Sequence, residues 1–115
     1  MKTLKIAIVM ILVLSMQAWA APTTLQVTLG AAATPMATVA TQCNWITIQN
    51  NATHAMRLGD FTVTATKGIQ LASGSPGGSF YQGPKPTGGA TNLAQFYVFG
   101  TAGDVVDVTC DAVNF

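Results

Sequence analysis

The side chains that could carry out hydrolytic chemistry are few in this sequence. His54 is the only histidine, and it lies in the asparagine-rich stretch NNATHAM. A serine hydrolase needs a histidine and an acid beside its nucleophile, but the serine-rich stretch ASGSPGGS lacks the G-x-S-x-G pattern that presents such a serine on a sharp turn. The residues therefore predict a surface histidine and no serine hydrolase.

The clustered acidic residues lie near the C-terminus, at Asp104, Asp107 and Asp111. Glycosidases need two carboxyl groups at a defined separation. Along a strand, Asp107 and Asp111 share a face and Asp104 points the other way, so we expect no converging pair. A calcium site at the Asp104 turn is a weaker alternative, because this turn supplies few oxygen ligands. We predict no metal, no cofactor and no enzymatic activity.

Aromatic residues flank the glycine- and proline-rich stretch QGPKPTGGATN. Alternate residues of a strand point to opposite faces, so part of this set lies outside the core. Exposed aromatic rings stack on sugars or anchor a partner. We predict Tyr81, Tyr97 and Phe99 as candidate ligand-binding residues, with the rim of an ordinary core as the alternative.

The N-terminus has the features of a secretory signal peptide. Lys2 and Lys5 precede an apolar run, which is followed by Ala18-Trp19-Ala20. This pattern predicts a signal peptide over 1–20 and one mature domain over 21–115. A retained anchor is the alternative, although the run is short for a membrane span. We expect a secreted protein, extracellular or periplasmic, with no membrane span after cleavage.

The predicted mature chain carries little charge. Three basic residues face four aspartates over residues 21–115, which gives a net charge of −1. Such a surface excludes a basic footprint for nucleic acid and an electrostatic membrane patch. It is suited to packed assemblies or to polar, uncharged ligands.

Cys43 and Cys110 are the only cysteines. In an exported chain of this size, a pair of cysteines predicts a disulfide. Two free thiols or a metal pair is the alternative, but zinc needs further ligands and His54 is the only histidine that could supply one.

Short runs in which apolar and polar residues alternate predict an all-β fold. In FTVTAT, for example, Phe61, Val63 and Ala65 would face the core and the threonines would face solvent. About eight strands at this spacing are typical of a small antiparallel β-sandwich, jelly-roll or immunoglobulin-like. The predicted strands are 25–29, 36–40, 41–50, 56–58, 61–65, 69–71, 93–100 and 105–110.

Four segments, IQNNATHAMRLGD, KGIQLASG, GGSF and FYVFGTAGDVVDVT, carry a resemblance to a known group of proteins. Over about 45–109 the chain resembles small β-sandwich proteins encoded among the virion structural genes of tailed bacteriophages and by some bacteria. The most specific features are the turn formed by Arg57, Gly59 and Asp60 and the segment 100–104. The resemblance implies a component that assembles into or decorates a particle, with no catalytic residues.

Together these features predict a secreted, non-enzymatic structural or surface-attachment module on a cell surface or in an extracellular filament. Its expected partner is a second copy or another surface or particle protein, bound through a charge-poor face or an edge strand. The alternative function is a carbohydrate-binding module in which the exposed aromatics stack on glycans.

Overall fold

Alternating apolar residues build two antiparallel sheets that face each other across one core in the computed structural model, which describes residues 22–112. The all-β fold and the small sandwich predicted from the sequence are confirmed. The predicted signal peptide, residues 1–20, lies outside the described residues. No helix among residues 22–112 is long and apolar enough to cross a membrane.

The larger sheet has the strand order β1-β9-β3-β6, and the short β7 also pairs with β3. The smaller sheet has the order β2-β8-β4-β5. Within both sheets the paired strands are antiparallel. The strands are β1 Thr23–Thr28, β2 Thr34–Pro35, β3 Gln42–Asn50, β4 Met56–Gly59, β5 Ile69–Leu71, β6 Ser79–Gln82, β7 Thr91–Asn92, β8 Tyr97–Phe99 and β9 Val105–Ala112.

The core lies between the inner faces of the two sheets. Ile46 and Ile48 of β3 and Val106 and Val108 of β9 are fully buried, as the alternation of these strands predicts. The smaller sheet and the loops complete the core with Leu29, Met36, Met56, Leu58, Leu71, Leu93 and Val98.

A β-bulge in β3 corrects one prediction. The alternation of the sequence places Cys43 and Ile46 on opposite faces, but both are fully buried. The pairing shifts between them, because Cys43 lies opposite Ala112 whereas Ile46 lies opposite Cys110. One extra residue on β3 reverses the alternation and turns Cys43 toward the core.

The predicted disulfide between Cys43 and Cys110 is confirmed, with a Cα–Cα distance of 5.5 Å. The bond joins the two central strands of the larger sheet across a sequence separation of 67 residues. In the chain-entropy model a loop of this length contributes about 4 kcal/mol to stability.

Three predicted strands are wrong in part or in whole. Residues 61–65 form turns rather than a strand, and Phe61 and Ala65 are exposed, whereas Val63 is buried as predicted. Residues 36–40 lie outside strands, because β2 ends at Pro35 and Met36 alone enters the core. The predicted strand 93–100 begins as a 3-10 helical turn, Leu93–Gln95, and only Tyr97–Phe99 pairs in the sheet.

Local hydrogen bonds explain two of these differences. The Asp60 side chain accepts a hydrogen bond from the Thr62 backbone N–H at 2.8 Å, which folds the chain into a turn. The Asn92 side chain accepts one from the Ala94 N–H at 3.1 Å and caps the 3-10 turn. Such side-chain hydrogen bonds compete with strand pairing, and the turn is the more stable conformation where no neighbouring strand is available.

Asn50 joins the two sheets. It is the last residue of β3, its side chain is fully buried, and its Nδ2 donates to Leu71 O of β5 at 3.0 Å and to His54 O at 2.8 Å. Its Oδ1 accepts from the Ala52 N–H at 2.8 Å. Among residues 22–112, no buried side-chain nitrogen or oxygen lacks a partner.

The segment that packs against Asn50 has glycine at two positions where a side chain would not fit. A Cβ added to Gly77 would lie 2.0 Å from Asn50 O, and one added to Gly78 would lie 2.6 Å from Ala72 N. The stretch SPGGS therefore has a packing role, in which its backbone closes over Asn50 and the end of β5.

We expect Asn50→Ala to lower the free energy of unfolding by about 3 kcal/mol, because two carbonyls and one N–H lose their buried partner. The matched control is Asn51→Ala, at an exposed neighbour whose amide reaches only Asp107, and it should change stability by less than about 0.5 kcal/mol. Urea denaturation under oxidising conditions measures both values. Equal effects of the two substitutions would contradict the role assigned to Asn50.

Candidate functional site

The three predicted ligand-binding aromatics are divided between the two sheets. Tyr81 is 62% exposed on the outer face of the larger sheet, where it pairs in register with Thr47. Tyr97 and Phe99 belong to β8 of the smaller sheet and flank the buried Val98, so both point away from the core. The structure does not bring Tyr81 together with the other two.

Tyr81 has an aromatic neighbour that the sequence did not single out. The Trp45 ring lies 6.4 Å from the Tyr81 ring, with 42° between the ring planes. A flat sugar face stacks best on coplanar rings, whereas these two are tilted. This pair therefore does not form a single platform.

A large concave surface among residues 22–112 is a cleft on the side where β6 and β7 of the larger sheet face β4 and β5 of the smaller one. We call it the end cleft, and its volume is about 860 Å³. Its apolar surface includes Phe61, Ile69, Phe80, Phe96 and Tyr97. The polar side chains on its border are Gln42, Asp60, Gln82, Lys85, Thr91, Asn92 and Gln95.

The end cleft contains aromatic surface that the fold does not bury. Phe61 is 73% exposed and Ile69 is 53% exposed, and they are two of the four large hydrophobic residues that stand exposed in the described part of the chain. Phe80 of β6 and Phe96, which directly precedes β8, pack on the core with ring centroids 5.9 Å apart. An apolar surface of this kind, surrounded by polar groups, is typical of a binding site.

A short network around Asp60 shapes one wall of the end cleft. The Asp60 carboxylate accepts hydrogen bonds from the hydroxyl and the N–H of Thr62, and Lys67 Nζ donates to the Thr62 hydroxyl at 2.8 Å. The hydrogen bonds from Thr62, and to a smaller extent the charge of Lys67, lower the pKa of Asp60 from its ordinary value of 3.8. The same turn leaves Phe61 exposed beside the cleft.

Strand β1 forms the opposite edge of the larger sheet. Its six residues pair with β9 on one side, and within residues 22–112 no strand pairs with the other side. We call this unpaired side the open edge. Thr24, Gln26 and Thr28 are exposed along β1, whereas Leu25 and Val27 are partly buried against the core.

His54 and Asp104 form a side-chain hydrogen bond that the sequence did not indicate. His54 Nδ1 lies 2.9 Å from Asp104 Oδ2 and joins the β3–β4 loop to the turn before β9. The two residues are 50 positions apart in the chain, so only the folded topology reveals the contact. The pair is on the surface, as predicted for His54, and fastens two loops.

The remaining acidic residues bond to amides rather than to each other. Asp107 accepts from Gln26 and Asn51, and Asp111 accepts from Asn44. Among residues 22–112, no three histidine, cysteine or acidic side chains are grouped closely enough to hold a metal ion.

No family model, no curated protein and no solved structure matches the chain. Arguments about function therefore rest on the surfaces described above.

Sequence reasoning missed the end cleft because its residues come from six separated segments of the chain. A local signal existed for one of them. Asp60 followed by Thr62 is typical of a turn closed by the aspartate side chain. This pattern predicts that Phe61 lies outside the core. The association of Phe61 with Phe96 and Tyr97 depends on strand pairing that the sequence does not show.

The lowered pKa of Asp60 predicts a pH dependence with a defined sign. The folded protein binds a proton at this carboxylate less readily than the unfolded chain, so the stabilisation is present at pH well above 3.8 and is lost as pH falls through the lower folded value. We expect Thr62→Val to raise the pKa of Asp60 and to weaken this loss on acidification. An NMR titration of the Asp60 carboxyl carbon measures the first effect, and unfolding at several pH values measures the second.

The control for this experiment is Thr66→Val, at an exposed position of the same loop. It should leave the titration of Asp60 unchanged. An equal shift in both variants would show that the Thr62 hydroxyl is not what lowers the pKa.

Proposed function

We propose that the protein is an exported, non-enzymatic structural or surface-attachment module that associates with copies of itself through the open edge. The observation that carries the proposal is the composition of β1, TTLQVT. This strand has no charged residue, no proline and no bulge, and its outer side pairs with no other strand among residues 22–112. Natural proteins commonly block exposed edges with such features, because unpaired N–H and C=O groups add further strands.

The preferred partner of the open edge is the open edge of a second copy. The number of hydrogen bonds between two paired strands is limited by the shorter strand. β1 has six residues, whereas β5 and β6 at the other side of the sandwich have three and four, so a second β1 is the longest partner available. Two β1 strands that pair antiparallel form an isologous, two-fold interface. Such an interface joins the two larger sheets into one.

The side chains of β1 support this arrangement. When both copies keep the same face toward the core, Leu25 and Val27 of the two strands form one apolar row that continues the core across the interface. Thr24, Gln26 and Thr28 form the solvent face, which brings no like charges together.

The resemblance inferred from the sequence would imply an assembling role. The disulfide and the signal-peptide pattern support assembly outside the cytoplasm, on a cell surface or in a filament. Another surface or particle protein with an unpaired edge strand would use the same mode of recognition.

The experiment is light scattering on the oxidised protein purified after export, over a range of concentrations, with intact mass spectrometry to define its N-terminus. We expect a concentration-dependent dimer. The double substitution Thr24→Lys and Thr28→Lys should weaken the dimer at least about tenfold, because lysines on facing edge strands repel each other.

The matched control is Thr66→Lys with Thr87→Lys, which adds the same charge at two exposed loop positions away from β1. This variant should dimerise as the unmodified protein does. A monomer at all concentrations, or equal weakening in both double variants, would contradict the proposal. Far-UV circular dichroism and thermal unfolding confirm that each variant is folded.

A further inference from the structure

We propose that the end cleft binds an uncharged saccharide. This binding would be separate from self-association, because the open edge is on β1 and the cleft lies at the β6 and β7 edge, on the far side of β9 and β3. Of the three aromatic residues predicted from the sequence, Tyr97 lines the end cleft, whereas Tyr81 and Phe99 do not.

The apolar part of the cleft suits the C–H face of a sugar ring. Phe61 presents an exposed ring, and Phe96 and Tyr97 line the same cleft. Aromatic rings carry negative charge on their faces and attract the weakly positive C–H groups of a pyranose. Since Phe61 is held outward by the Asp60 turn, its ring is available without a change of fold.

The polar part of the cleft suits hydroxyl groups. Four side-chain amides border it, at Gln42, Gln82, Asn92 and Gln95. Each amide offers two N–H donors and an accepting oxygen, and sugar hydroxyls likewise donate and accept. Gln82 donates to the Thr91 hydroxyl at 3.2 Å, which orients its amide and leaves its oxygen and a second N–H for a ligand.

This polar border is held by the rigid centre of the larger sheet. Gln42 pairs with Asn92 and Cys43 pairs with Thr91, so both partners are adjacent to the disulfide. Asn92 Oδ1 also accepts from the Thr41 N–H at 3.0 Å and from the Ala94 N–H, which fixes the 3-10 turn that carries Gln95. Polar groups that are ordered before binding lose less entropy when a ligand binds.

The charges of the cleft favour an uncharged ligand. Asp60 and Lys85 are the charged residues on its border, and they have opposite signs. Asp60 is already bonded to Thr62, and Lys85 Nζ donates to Ala90 O at 3.2 Å. No cluster of cations is available at this border for a phosphate, sulfate or carboxylate group. The volume of about 860 Å³ is within the range of small-molecule sites.

The first experiment screens the oxidised protein against an array of neutral and acidic oligosaccharides. Neutral hits are then titrated into ¹⁵N-labelled protein as free di- and trisaccharides. We expect neutral glycans to bind and to shift the side-chain amide signals of Gln42, Gln82 and Gln95. Binding of acidic glycans only, or shifts confined to the surface around Trp45 and Tyr81, would overturn the proposal.

The second experiment measures affinity by calorimetry with the best neutral hit. Phe61→Ala should weaken binding about tenfold, which corresponds to about 1.4 kcal/mol. Tyr81→Ala removes a similarly exposed aromatic ring from the outer face of the larger sheet and should change affinity less than twofold. The reverse ranking would overturn the proposal and favour the Tyr81 surface.

Two further outcomes separate this proposal from its alternatives. If no neutral glycan binds at millimolar concentration, or if an extended apolar peptide shifts the cleft amides where glycans do not, the proposal is wrong. The Thr24→Lys and Thr28→Lys variant should bind the glycan with unchanged affinity, so failure of self-association and failure of sugar binding are distinguishable.

Discussion

The buried amide of Asn50 is the interaction on which the rest of the fold depends. A sandwich whose strands are mostly short has little hydrogen bonding between its two sheets, and apolar contacts do not fix their relative position. Asn50 supplies a directional link, because one side chain bonds to β5 of the smaller sheet and to the loop that leads to β4. A buried side-chain amide without hydrogen-bond partners lowers the stability of the fold, so we expect the three hydrogen bonds of Asn50 to form together. This link holds the end of β3 against the end of β5 and fixes the loop between β3 and β4.

The β-bulge and the disulfide set a second constraint at the other end of β3. Without the extra residue, Cys43 would face solvent and could not reach Cys110 inside the core. With it, the bond closes beside Gln42 and Thr91, at the point where β7 joins the sheet. The end cleft therefore borders the covalently fixed part of the molecule on one side. On the other side, the turn that carries Phe61 is held by the Asp60 hydrogen bonds and by the buried side chain of Val63.

The sequence predicts the long strands β3 and β9 and the short strands β4 and β5 well, but it fails at 36–40, at 61–65 and at the start of 93–100, for physical reasons. In β3 and β9 the apolar alternation extends over many residues, and burial of one face determines the conformation. In FTVTAT the alternation is equally regular, but the Asp60 and Thr62 hydrogen bonds form within three residues and require no partner strand. The disulfide could be predicted because the chain has only two cysteines. The end cleft could not, because the proximity of Phe61, Gln82 and Gln95 is a property of strand order, which alternation does not encode.

The positions of the two proposed surfaces make their roles compatible. The open edge and the end cleft lie at opposite edges of the larger sheet. Pairing through β1 would therefore leave the cleft of each copy uncovered. In a two-fold dimer the clefts would lie at the far edges of one continuous sheet. A single cleft with one exposed aromatic ring is expected to bind a sugar weakly. Two clefts held at a fixed separation on a glycan-coated surface convert the second contact into an intramolecular one, and the overall affinity then exceeds that of either site. Self-association and saccharide binding would thus act together in surface attachment, with the sheet edge supplying the multivalency that the small cleft requires.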